Sequence, residues 1–101
     1  MATSLKSAAF LMESYLTDAA QGNPNALYSL GVAYSTGSNG VDVDLIEAHK
    51  WFNLAALNGS ERGQESRAEI AEEMTAREIA EAQRQARAWL AETGLSLRRA
   101  A

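Results

Sequence analysis

At 101 residues, with 47% apolar and 22% charged side chains, the chain has room for one small domain and is too apolar for a disordered segment. The net charge of −4 argues against nucleic acid, whose binding is driven by Lys and Arg on phosphates, and the lack of cysteine excludes disulfides and thiolate metal sites. No run of 18 apolar residues is present, so no membrane span is expected, and Glu13 breaks the apolar patch of "MATSLKSAAFLMESYL" before it can act as a leader; the expected location is the cytoplasm.

Alanine is abundant and there is one proline, so the composition favours an all-α fold. Ser4 is placed to cap a first helix to about Gln21, with Leu5, Ala8, Leu11, Met12, Tyr15, Leu16 and Ala19 at near-helical spacing before Gly22. Asn23 then caps a second helix whose first residue is Pro24, where a missing N–H costs little. Its apolar stripe is Ala26, Leu27, Leu30, Gly31 and Tyr34. An interior glycine is unfavourable by about 1 kcal/mol, so Gly31 marks a place where a neighbouring helix comes close.

Asp44 and Glu47 have the spacing of a capping box and open a third helix with Ala48, Phe52, Ala55 and Ala56 on its stripe, closed by Gly59. Ser60 caps a fourth helix to about Glu73. Thr75 and Glu78 form a second capping box, opening a fifth helix with Ile79, Ala82, Ala86, Trp89 and Leu90 inward and Gly94 at its end. The expected organisation is one domain over 1–94 and a tail over 95–101, with about five helices joined by short turns and therefore antiparallel to their neighbours. A shift of 37 residues places Tyr15 on Phe52, Ala19 on Ala56, Gly22 on Gly59 and Ala26 on Gly63, so the unit repeats. A short α-solenoid of helix pairs follows.

The stretch "ALYSLGVAYSTGSNGVDVDLIEAHKWFNLAALNG", Ala26 to Gly59, resembles the SEL-one-like repeat (SLR), a relative of the tetratricopeptide repeat. The matching positions are Ala26, Leu30, Gly31 and Tyr34 in one helix; Gly37, Gly40 and Asp44 in the loop; and Ala48, Trp51, Phe52, Ala55, Ala56 and Gly59 beyond it. The match spans one repeat, with the first helix similar to the end of a preceding unit. Under the same shift Leu30, Gly31 and Tyr34 become Arg67, Ala68 and Ala71, so helices four and five look like a degenerate repeat serving as an end cap. The resemblance implies a non-catalytic scaffold for protein or peptide partners, often a bacterial adaptor or regulator, without a cofactor.

In solenoids of this kind the first helix of each pair lines the concave groove. That implies partner contacts from Asn25, Tyr28, Ser29, Val32 and Ser35 on helix two, and from Arg62, Glu65, Glu69 and Glu72 on helix four. Such a groove is part apolar and part acidic, and is expected to favour basic and apolar segments. Phe10 falls off the line of Leu11, Tyr15 and Ala19, so helix one is apolar on two sides and offers an interface for a partner or a second copy. The competing reading is a small-ligand regulator or enzyme with a site near His49 and the 37–44 loop. That loop lacks the Lys and hydroxyl of a phosphate cradle and all but two of the alternating ligands of a calcium loop, and a lone histidine is weak evidence of a metal or catalytic site.

Overall fold

The computed structural model describes residues 5–95. They form α1 (Leu5–Ala19), α2 (Pro24–Thr36), α3 (Leu45–Leu57), α4 (Glu61–Ala71) and α5 (Ala76–Thr93), without strands among the described residues. Side-chain caps set the starts of four of them. Asn23 Oδ1 accepts from the backbone N–H groups of Asn25 and Ala26 at 2.9 and 3.2 Å, and Ser60 Oγ accepts from Gly63 at 2.9 Å. Thr75 and Glu78 complete the reciprocal capping box at 3.1 and 2.8 Å. Ser4, the expected cap of α1, lies outside the described residues.

The second expected capping box forms only by half. Asp44 Oδ1 accepts from Glu47 N at 3.1 Å, but Asp44 N donates to Tyr34 O at 2.9 Å and closes the 37–44 loop instead. Glu47 is drawn away: its carboxylate accepts from the indole N–H of buried Trp51 at 3.0 Å and pairs with Lys50 at 3.1 Å. A buried indole needs an acceptor, and here that need outweighs the cap. At its far end α4 stops at Ala71, short of Glu73, and its last carbonyls are taken by N–H groups three residues on, as at Glu72 and Glu73.

Helix α3 is the hub. It packs on α2, α4 and α5, while α1 packs on α2 and α5 lies chiefly on α3. Its burial accordingly goes round the helix, taking in Ala48, His49, Trp51, Phe52, Leu54 and Ala55, while the expected Ala56 is only half-buried. Gly31 meets Phe52 as the sequence suggested: a Cβ there would overlap the ring, lying 2.9 Å from its Cγ. Gly63 repeats the device one turn on, where a Cβ would lie 2.9 Å from Ala55 Cβ and 3.0 Å from the carbonyl oxygen of Phe52.

Two expectations change. On α1 only Ala8, Met12 and Ala19 are buried, with Tyr15 half-buried; Leu11 and Leu16 face solvent because α2 is the one helix against which α1 packs closely. Leu95, assigned to a loose tail, is 3% exposed. Gly94 adopts a left-handed φ of 73° after α5, and the Leu95 side chain reaches within 3.4 Å of where a Cβ on Gly22 would be. Asn58 stands equally close to that point, so the ends of α1, α3 and α5 converge at one side of the stack. The remainder of the tail, 96–101, lies outside the described residues.

The notch at Gly31 has a measurable consequence. Gly31→Ala gains helix propensity but forces the Phe52 ring to move, and overpacking of this kind costs about 1–3 kcal/mol. We expect a net loss of about 1–2 kcal/mol in urea unfolding, partly recovered in Gly31→Ala/Phe52→Leu, with the coupling read from the double-mutant cycle.

Candidate partner-binding groove

A groove of about 360 Å³ runs along α2. Tyr28, Ser29, Val32 and Ala33 form its floor, with Asn25 at one end. Tyr15 of α1 and Arg62 of α4 border it, and Ser38 and Asn39 of the 37–44 loop close the other end. The floor is held from beneath: the Tyr28 ring packs on Phe52 with centroids 5.4 Å apart at 45°, a tilted aromatic contact. From above, the Arg62 guanidinium sits 4.4 Å from the Tyr28 ring centroid, within cation–π range.

Of the expected contact residues, Asn25, Tyr28, Ser29, Val32 and Arg62 meet in this groove. Ser35 lies outside the lining, half-buried, with its hydroxyl donating to Val32 O at 3.1 Å. Glu65, Glu69 and Glu72 are exposed and also lie outside it. The charged residue of this lining is Arg62. Tyr15, Ala33, Ser38 and Asn39 are additions. The 37-residue shift equates Tyr15 with core Phe52, and the loop residues read as turn formers; only their fold-back beside α2 makes them part of the wall.

Phe10 stands apart from the groove. It is 72% exposed on α1, and with Lys6, Ala9 and Glu13 it borders a separate hollow of about 550 Å³. His49 opens on neither hollow. It is 1% exposed, and neither ring nitrogen has a hydrogen-bond partner among the described residues. Burial lowers its pKa from 6.5, and the nearby Arg67 charge lowers it further, so the ring is neutral at pH 7. The Tyr34 hydroxyl, raised above 10 by burial and by Glu47 and Asp44, stays protonated and does not line the groove. No group of three or more His, Asp or Glu able to hold a metal occurs among the described residues. The groove's own chemistry is an aromatic and aliphatic floor with amide, hydroxyl and guanidinium edges, suited to holding a chain.

Helix pairs stacked about a shared core define the α-solenoid class of helical-repeat proteins. Residues 24–60, which span α2, its loop and α3, match the family model described as Sel1 repeat. Sel1 repeats are helical units similar to the tetratricopeptide repeat that generally mediate protein–protein interaction and are typically non-catalytic. No curated protein and no solved structure matches the chain. None of the described helices is long and apolar enough to cross a membrane.

The buried histidine predicts a pH dependence. The unfolded chain takes up a proton near pH 6.5 while His49 in the fold resists it. Its contribution to stability is therefore complete above pH 6.5 and is lost as pH falls from there through the lowered folded value. Urea midpoints should drop between pH 7 and pH 5, and His49→Leu should flatten that part of the profile.

Proposed function

We propose that the chain is a non-catalytic adaptor, acting in the cytoplasm, that holds an extended segment of a protein partner in the groove along α2. The observation that carries this reading is the position of the groove on the α2 face of the repeat, where half-buried Tyr28, Ser29 and Val32 combine apolar area with polar edges on rigid helices. The enzyme or small-ligand alternative loses its histidine, because His49 borders neither hollow.

A photo-crosslinking phenylalanine at Ser29 should capture the partner, whereas the same group at exposed Arg87 on α5 should not. Val32→Arg, which fills the groove with a bulky cation, should weaken capture about fivefold or more. Equal crosslinking at both positions, or capture indifferent to Val32→Arg, would overturn the reading.

A second reading concerns α1. Phe10 at 72% exposure, bordering the hollow with Lys6, Ala9 and Glu13, supports self-association through this part of α1. Sedimentation should then show a concentration-dependent dimer that Phe10→Ser abolishes. A monomer at millimolar concentration, unchanged by the substitution, removes self-association.

A further inference from the structure

The groove differs in charge from the chain around it, and that difference identifies the occupant more closely than the repeat does. The chain carries a net charge of −4, yet the charged residue in the lining is Arg62. At physiological salt the screening length is about 8 Å, so distant charges act weakly at the groove; Glu65, one turn along α4 from Arg62, is within that range but outside the lining, and the charged group in contact is Arg62. Among the described residues, the ion pairs are Glu47 with Lys50 and Glu81 with Arg84; Arg62 forms none. Its guanidinium carbon instead lies 4.4 Å from the Tyr28 ring centroid, and on this exposed side chain the N–H donors are open to a ligand. A planar fork of donors matches a carboxylate, with two parallel hydrogen bonds.

Resting on the adaptor reading above, we propose that the groove recognises an extended partner segment in which an internal Asp or Glu side chain pairs with Arg62 and a neighbouring apolar side chain packs on Tyr28 and Val32. The span from Asn25 to Ala33 is about 12 Å at the helical rise, the length of about four extended residues. Polar groups border the groove beyond Tyr28 in both directions, Asn25 on one side and Ser38 and Asn39 on the other. A segment that uses both continues past the carboxylate, which places the acid inside the segment rather than at a chain terminus.

The probes are three capped pentapeptides, Ala-Leu-Glu-Leu-Ala and its Gln and Lys counterparts, titrated into the nitrogen-15-labelled full chain while the backbone amides of Tyr28, Ser29 and Val32 are followed. The Glu peptide should bind about fivefold tighter than the Gln peptide, the scale of an exposed ion pair, with the Lys peptide weakest. Arg62→Gln, a substitution at an exposed residue that leaves amide shifts elsewhere in place, should remove the preference. Equal binding of the Glu and Lys peptides, or a Glu preference that survives Arg62→Gln, overturns the carboxylate assignment and leaves the groove reading standing. Tighter binding by the Gln peptide with a free C-terminus than by the capped Glu peptide overturns the internal placement. If no probe moves the groove amides, both the assignment and the groove reading are overturned.

Discussion

The fold depends on the ring of Phe52 seated where Gly31 has no side chain. Without a Cβ at that position α2 and α3 come close enough for the ring to wedge between them, and the same residue's carbonyl oxygen borders the notch at Gly63 through which α4 approaches. One side chain and its backbone therefore set the spacing of three helices. The consequence reaches the groove, because Tyr28 packs against that ring and lies within cation–π range of Arg62. Core, aromatic floor and guanidinium are thereby in contact in series.

This arrangement accounts for the unequal character of the helices. Centrally placed α3 is buried round most of its circumference and includes a histidine with no hydrogen-bond partner among the described residues. An unsatisfied buried polar group costs about 1–3 kcal/mol, which a small core offsets only where apolar packing is dense. Helix α4 buries only Gly63 fully among its residues and is largely polar.

The sequence was most legible where a local rule acts alone. Asn23, Ser60 and Thr75 cap their helices because nothing else competes for those side chains, and Gly31 disclosed a close approach because a helix tolerates an interior glycine only for such a reason. It was less legible where a tertiary partner intervenes. Glu47 abandoned its cap for the Trp51 indole, and Leu54 and His49 became core because α3 is packed by α2, α4 and α5 together, with Arg67 of α4 near His49. The groove followed the same division. Its α2 residues came from the resemblance, which places the first helix of a pair at the groove, whereas the glutamates one or more turns along α4 from Arg62 lie outside this lining.

The packing of Leu95 beside Gly22 alters how such a stack can come apart. In a linear array each unit touches only its neighbours, and the ends unravel independently of the middle. Here a side chain near one end of the sequence sits against a turn near the other, so loosening the α1–α2 corner also exposes the close of α5. Such non-local closure slows folding relative to a purely local stack. In return it joins the terminal helices into one cooperative unit, and the groove lies inside that unit rather than on a margin that frays.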